Sequence, residues 1–318
     1  MRLQTRLPLP FLFLIPALAS ADSPPDTRTL LINNKCSHSI WPGVLSSSGN
    51  STSAGFHLPA ASNHSVTVSW DWIGRVWGRT NCTFDETTKL GTCLTGDCGG
   101  KLECALAGVP PTTLAEFTIS GKDSQTFFDV SLVDGYDLDM AIVPEHDSAD
   151  KPRKNNSPVC VMSTPEDNRA VTHWCPFDLL VFPPPKSPRN SVAFWYPDDH
   201  LQRPLLSPCL SACAKWNKPQ DCCAGAWNDP KKCGPSLYSR KAKKVCPDAY
   251  SYAYDDLLST FTVPTGKGFE ITFCPGGVSS DLMANKEASG AAVVVVRGGV
   301  MAVVAAVVVV VVVMGGVL

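Results

Sequence analysis

Three cysteines and three glycines fall within thirteen residues, Thr92-Cys93-Leu94-Thr95-Gly96-Asp97-Cys98-Gly99-Gly100-Lys101-Leu102-Glu103-Cys104. At that density local structure must come from crosslinks and tight turns rather than from a buried core. The chain of 318 residues holds 14 cysteines in all. An even count fits a disulfide framework in an oxidising compartment. Residues 1–21 supply the route there. Arg2 and Arg6 give a charged start, Leu9 to Leu18 an apolar stretch, and Ala19-Ser20-Ala21 a small-residue cleavage site, the layout of a secretory signal. Pro8, Pro10 and Pro16 interrupt the stretch, and it is too short for a bilayer span.

Asn50, Asn63, Asn81 and Asn155 each open an Asn-x-Ser/Thr sequon, usable along the same route. Asn81 is the poorest acceptor, because its middle residue is Cys82, expected to be bridged. The formal charge of −2 points to neither a nucleic-acid nor a polybasic membrane partner. At the other end a polar spacer, residues 277–290, leads into a tail of almost pure Ala, Val and Gly over 291–318, with Arg297 its one charge. Val300 to Leu318 is nineteen residues, long enough to cross a bilayer core at ~1.5 Å per residue. No basic segment follows it, unlike the usual single-span protein. The pattern fits a glycolipid (GPI) anchor signal with attachment at Ser289, Gly290 or Asn285. A retained transmembrane helix and an idle, aggregation-prone valine extension are the alternatives. The expected location is the outer face of the plasma membrane or the cell wall, reached by secretion, with the tail giving the membrane contact.

Between these ends, residues 22–276 form one block without repeats, a size that all-β sandwiches and barrels reach as a single domain. Val66 to Trp70, Leu114 to Ile119, Phe127 to Val133 and Phe269 to Phe273 alternate like half-buried strands. Asn33-Asn34, Ser48-Gly49-Asn50 and Asp134-Gly135 read as turns. From Cys209 to Cys246 the cysteines crowd together, as in a small stapled lobe.

Gly91 to Cys104 resembles the signature of the thaumatin-like family, plant pathogenesis-related proteins of the osmotin and thaumatin type. Further matching stretches occur in the family's order: Asn34-Lys35-Cys36-Ser37 with Ile40-Trp41-Pro42-Gly43, Arg75 to Cys82, Pro110 to Phe117, Asp129 to Tyr136, Cys246 to Tyr252 and Ile271 to Pro275. Lys89 departs from it, where many members carry a glycine. The resemblance implies a mainly β fold: a flattened β-sandwich of about eleven strands, flanked by a disulfide-rich loop domain and a small stapled lobe.

The family has sixteen cysteines, so two positions are lost here. One is Val263 and the other lies within 155–159. In the family these two pair with each other, which leaves the remaining set consistent. The resemblance then implies Cys36–Cys274, Cys82–Cys93, Cys98–Cys104, Cys160–Cys246, Cys175–Cys209, Cys213–Cys222 and Cys223–Cys233. Sequence alone does not fix such a connectivity. A zinc site at Cys222, Cys223 and Cys233 is the competing reading and is disfavoured in an oxidising compartment. No metal and no cofactor are expected. Thirty-three residues separate Cys175 from Cys209, more than the resemblance leads one to expect. The proline-rich insert, 183–208, includes Phe194, Trp195 and Tyr196 beside Asp198 and Asp199. It reads as tolerated loop decoration, with sugar contact as the sharper alternative.

The resemblance also implies an acidic cleft lined by Arg75, Glu116, Asp129, Asp134 and Asp256, with Asp255 as the fallback. Glu116 is out of phase with Ala115, Phe117 and Ile119, so it can face outward while they face a core. Asp129 and Asp134 differ by an odd number of residues and converge only if their strand ends before the Asp134-Gly135 turn. Asp137 and Asp139 replace the family's Asn and Pro and are expected to add acidity to the cleft. Crowded carboxyls raise one another's pKa, so Glu116 and Asp129 are the candidate acid and nucleophile for glycoside hydrolysis. The blander reading is that Arg75 pairs with Glu116 or an Asp, leaving a cleft that binds polyols without chemistry. No serine-hydrolase elbow, zinc helix, phosphate loop or dinucleotide fingerprint occurs. His38, His57, His64, His146, His173 and His200 are scattered, and Trp41, Trp70, Trp72 and Trp77 read as core and sandwich edge.

As the resemblance implies, the expected function is a monomeric defence protein with an antifungal role that binds β-1,3-glucan in the cleft. A weak endo-β-1,3-glucanase and a membrane-tethered sensor or adaptor without glucan affinity are the alternatives.

Overall fold

A computed structural model describes residues 27–145, 156–162, 174–181 and 208–283. The expected secretory signal, the Asn155 sequon, the aromatic trio of the insert, His146, His173, His200 and the tail lie outside these residues. Among the described residues no helix is long and apolar enough to cross a membrane.

The strands are β1 (Thr27–Asn34), β2 (Gly43–Ser48), β3 (Ser62–Ser69), β4 (Ile73–Trp77), β5 (Thr83–Phe84), β6 (Gly91–Thr92), β7 (Leu114–Thr118), β8 (Gln125–Ser131), β9 (Met140–Pro144), β10 (Val159–Cys160), β11 (Phe261–Pro264) and β12 (Phe269–Phe273). Two five-stranded sheets, ordered β10-β9-β12-β1-β3 and β11-β8-β7-β4-β2, face each other, and β5-β6 forms a separate ribbon. The chain is therefore a mainly β sandwich with few helices. Alternation drives each sheet. In β1, Leu30 and Ile32 are buried between more exposed neighbours, and Val66 and Val68 do the same in β3. The opposite sheet contributes Val76, Phe117, Phe128 and Phe261. Phe269 joins the two, its ring 5.0 Å from both Phe117 and Phe128. Such aromatic contacts add ~0.5–1.5 kcal/mol each beyond the area they bury.

One local expectation needs correction. Asn33-Asn34 is no turn but the end of β1, where the Asn34 amide donates to the carbonyls of His38, Leu58 and Pro59. An amide that satisfies three carbonyls belongs inside, and Asn34 is 1% exposed. Trp72 and Trp77 are core, and Trp70, just past the end of the edge strand β3, is 52% exposed.

Seven disulfides close the structure: Cys36–Cys274, Cys82–Cys93, Cys98–Cys104, Cys160–Cys246, Cys175–Cys209, Cys213–Cys222 and Cys223–Cys233. They are the pairs implied by the resemblance. Cys36–Cys274 crosslinks positions 238 residues apart where β1 and β12, first and last strands, run parallel. On the loop-entropy model so long a loop contributes ~5 kcal/mol. Val263 takes its place in the core. Beside it, the Asn156 amide donates to the Thr262 carbonyl at 3.5 Å.

The loop that carries the cysteine-glycine run is pinned by side chains. The Asp97 carboxylate accepts from the Cys93 and Gly100 amides at 3.0 and 2.7 Å. Trp77 Nε1 donates to the Gly96 carbonyl at 2.9 Å. Gly96 has φ +68°, and a Cβ there would sit 2.9 Å from the Trp77 ring, so no other residue fits without a shift. Arg79 is fully buried. Its guanidinium donates to the carbonyls of Trp41, Lys101 and Leu102 at 2.7, 2.7 and 2.6 Å.

The stapled lobe holds α1 (Ala212–Trp216) and α2 (Pro219–Cys222), bridged by Cys213–Cys222. Two further helices follow, α3 (Leu237–Val245) and α4 (Asp256–Ser259). Ser211 and Ser236 cap α1 and α3 by accepting from Ala214 and Ser239 amides, the usual remedy for unpaired N-terminal donors. The folded body runs past the boundary expected at residue 276. Ser280 exchanges backbone and side-chain hydrogen bonds with Val159, the Ser279 hydroxyl bonds Val161, and the Leu282 and Met283 amides donate to the Asp248 carboxylate. Met283 is buried. A composition boundary misses this, because the docking partners, the Ser279 and Ser280 hydroxyls against Val159 and Val161 and the Asp248 carboxylate, come from segments distant in sequence.

Candidate functional site

Strand register builds the site. Arg75 in β4 lies directly opposite Glu116 in β7, and Glu116 lies opposite Asp129 in β8. Residues paired this way have Cβ atoms ~4.5–5.5 Å apart, so one cation and two carboxyls stand abreast on the face turned away from the core. The strand β8 ends at Ser131. The chain then turns at Asp134-Gly135, where Gly135 has φ +105°, and this turn brings Asp134 back to the same side. Arg75 is 3.5 Å from Glu116 and 3.9 Å from Asp134. Arg75, Glu116, Asp129 and Asp134 line one pocket of about 330 Å³ with Leu114, Ser131, Val133, Tyr250 and Ala253.

Burial shifts these acids upward. The Asp129 carboxyl is held well above the ordinary range, first by burial, then by the Glu116 and Asp256 charges, with Arg75 opposing. Its Oδ1 is enclosed and has no hydrogen-bond partner among the described residues. Glu116 is raised by burial and Asp134, against the pull of Arg75 and a Ser131 hydrogen bond. Asp134 is raised by burial, again against Arg75. One guanidinium thus faces three carboxyls and cannot neutralise them all, so the site favours retaining protons. A protonated carboxyl both donates and accepts hydrogen bonds, which suits a polyhydroxyl ligand.

Asp256 does not line the pocket. Its carboxylate accepts from the Tyr250 hydroxyl at 2.9 Å, and Tyr250 is the side chain that reaches the pocket. Tyr250 is held along β8 by backbone bonds from its amide to Val130 and from Leu132 to its carbonyl. The fallback, Asp255, is buried behind it and accepts from the Ser251 amide and hydroxyl while pairing with Lys243 at 3.1 Å. Lys243 also donates to the Ala249 carbonyl and the Ser259 hydroxyl, fixing both ends of the loop that presents Tyr250. Asp137 and Asp139 do not add acidity to the pocket. Asp137 is 2% exposed and accepts from Thr95, the Thr113 amide and the Leu138 amide, each at 2.9 Å. Burial pushes it up to about 7. Asp139, 4% exposed, accepts from the Tyr136 hydroxyl and the Met162 amide. Both are fasteners between loops: they lie in the connection between β8 and β9, where the chain from Gly135 to Met140 is buried throughout. Among the described residues no group of His, Cys, Asp or Glu is arranged to hold a metal ion.

Of the three sequons within the described residues, Asn50, Asn63 and Asn81 are all exposed. Asn81 has a left-handed backbone, φ +47°, and its neighbour Cys82 is bridged.

The thaumatin family profile matches residues 34–275. The chain belongs to the thaumatin family. Within it, the chain is 43% identical over 245 residues to pathogenesis-related thaumatin-like protein 3.5 of Cryptomeria japonica, an alignment covering 76% of this chain and 88% of the relative. It is 38% identical over 252 residues to a glucan endo-1,3-beta-glucosidase of Prunus avium, covering 78% and 90%. It is also 36% identical over 268 residues to a PR5-like receptor kinase of Arabidopsis thaliana, covering 83% of this chain but spanning only 36% of the kinase. The thaumatin-family match includes every strand of both sheets from β2 to β12 and the whole candidate pocket.

Proposed function

We propose that this thaumatin-family chain is a defence protein of the cell surface or wall that binds β-1,3-glucan, with an antifungal role, in the pocket around Arg75, Glu116, Asp129 and Asp134. The carrying observation is the row of one guanidinium and two carboxyls placed abreast by register, joined by Asp134 from the following turn. Arg75 donates to sugar oxygens, the carboxyls accept from or donate to hydroxyls, and Tyr250 adds an aromatic side wall. A neutral polyol is thereby recognised without a charge of its own. The likeness to a protein named glucan endo-1,3-beta-glucosidase supports this ligand class. The tail at 291–318 serves as a GPI-anchor signal that is exchanged for the lipid, so a phosphatidylinositol-specific phospholipase should release the protein from the cell surface.

A second reading, weak endo-β-1,3-glucan hydrolysis, draws on the raised Asp129 and Glu116 carboxyls. A retaining mechanism needs two carboxyls ~5–5.5 Å apart, one protonated, and cross-strand neighbours reach that separation. The secreted protein is to be tested on insoluble β-1,3-glucan and on laminarin. Retention without new reducing ends supports binding. Reducing ends that vanish in Glu116→Gln and Asp129→Asn establish the enzyme. Neither retention nor release sinks both readings.

A further inference from the structure

The faces on either side of the acidic row differ. Two residues along each strand toward Trp77 lies the paired row Trp77–Leu114–Ser131, with exposures of 0%, 3% and 1%. The cysteine-glycine loop covers it through the Trp77–Gly96 hydrogen bond. Two residues in the other direction lies the paired row Ile73–Thr118–Phe127–Thr262. Ile73 is 41% exposed, Thr262 is exposed, and Thr118 and Phe127 are partly so. A pocket of about 330 Å³ is near the small end of ligand sites and does not enclose a polymer. Of the two directions along the strands, the row Ile73–Thr118–Phe127–Thr262 is the one open to a chain held there.

We propose that a β-1,3-glucan seated in the pocket continues across the row Ile73–Thr118–Phe127–Thr262, with the next sugar units lying on the Phe127 ring and bonded by the Thr118 and Thr262 hydroxyls. The proposal rests on the glucan reading of the pocket and names the direction in which the ligand runs. Successive rows on one face are ~7 Å apart, about one sugar unit from the carboxyls. The row carries no charge, unlike its neighbour, and alternates apolar with hydroxyl side chains across four adjacent strands. That composition fits a neutral polysaccharide, which offers an apolar ring face rimmed by hydroxyls, better than an acidic or basic partner. Phe127 is backed by chain: a Cβ on Gly121 would lie 2.5 Å from its ring, so the ring is a fixed surface. Continuity with the pocket decides the occupant, since the ligand enters the row already bound.

The test is calorimetric titration of the full-length secreted protein with laminaribiose and laminarihexaose. The parent should bind the hexaose at least 10-fold more tightly than the biose. Phe127→Ala should lose most of that length advantage while biose affinity stays within 2-fold, and Phe127→Trp should keep it. Thr262→Arg obstructs the same row from an exposed position and should act like Phe127→Ala, which guards against a folding defect in the phenylalanine variant. Thermal melting of each variant checks the fold. Hexaose affinity unchanged in both Phe127→Ala and Thr262→Arg, or biose and hexaose falling together in well-folded variants, overturns the row while leaving the pocket reading intact. If Thr262→Arg alters only the mass by light scattering, the row joins two copies of the chain, and the proposal fails. A parent that binds neither sugar ends the glucan reading itself.

Discussion

Replacing Arg79 with Met should cost the fold several kcal/mol although the residue touches neither pocket nor solvent. The guanidinium is 0% exposed and no carboxylate salt-bridges it among the described residues. Burial lowers it to about 10, with Asp97 opposing, so it stays charged at neutral pH and its donors go to carbonyls. The Trp41 carbonyl also receives the Arg79 amide, and the Pro42 carbonyl the Phe56 amide, so these two keep a partner after substitution. The Lys101 and Leu102 carbonyls do not. Each orphaned acceptor costs ~1–3 kcal/mol, giving ~2–6 kcal/mol. Release of the buried charge offsets part of this. A net ~3 kcal/mol on a domain of this size lowers the melting temperature by ~6–12 °C. Calorimetry with the disulfides intact reads it directly, and Arg79→Lys should fall between parent and Met because one ammonium cannot reach both strands of the loop. A methionine variant melting within ~2 °C of the parent would refute the argument that the loop hangs on this fork.

Asp137→Asn should stabilise the protein, and only away from acid. The folded carboxyl sits at about 7 against an ordinary 3.8, so the folded state holds the proton more tightly and stability falls as pH rises from ~4 to ~7. The amide can accept from the Thr113 and Leu138 amides and donate to Thr95, whose hydroxyl then donates to Thr80. The gain should be near zero at pH 4 and up to ~4 kcal/mol at pH 8; a melting difference independent of pH would contradict it. Asp248→Ala should free the segment around Met283. Hydrogen exchange at the Leu282 and Met283 amides should rise toward the unprotected rate while β12 stays protected, and unchanged protection there would show that Asp248 is not the clamp.

The legible parts of this molecule were those governed by one chain segment at a time. Alternation in β7 shows Glu116 outward, and the Asp134-Gly135 dipeptide shows the turn that Asp129 and Asp134 need in order to converge. What stayed hidden depends on which segments meet. Asp137 and Asp139 look like additions to an acidic cluster in sequence, but the strand that follows them turns inward, and their carboxyls serve as acceptors for loop amides. Tyr250 lies within a stretch that resembles the family and still gave no sign of lining the pocket. Its place comes from a parallel bridge to Ser131, a pairing across 119 positions that no local pattern encodes. The grouping of Arg75 with Glu116 and Asp129 was expected from the family resemblance alone; its physical cause is register, set by how β4, β7 and β8 align.

The bridge Cys175–Cys209 has a consequence for how this chain can change. Its Cα atoms are 6.1 Å apart, and beside it Leu180 and Tyr136 both form bridges to Cys209. The two roots of the thirty-three-residue segment are therefore clasped together by the body itself. Loop-closure cost grows only slowly with length, and here the covalent clasp fixes the ends whatever lies between them. Sequence can be lengthened, shortened or exchanged within 182–207 with little loss of sandwich stability, whereas Leu179 and Leu180, just inside the clasp, belong to the core. The clasp makes this segment a socket, through which a single scaffold can present different surfaces while its pocket stays as it is.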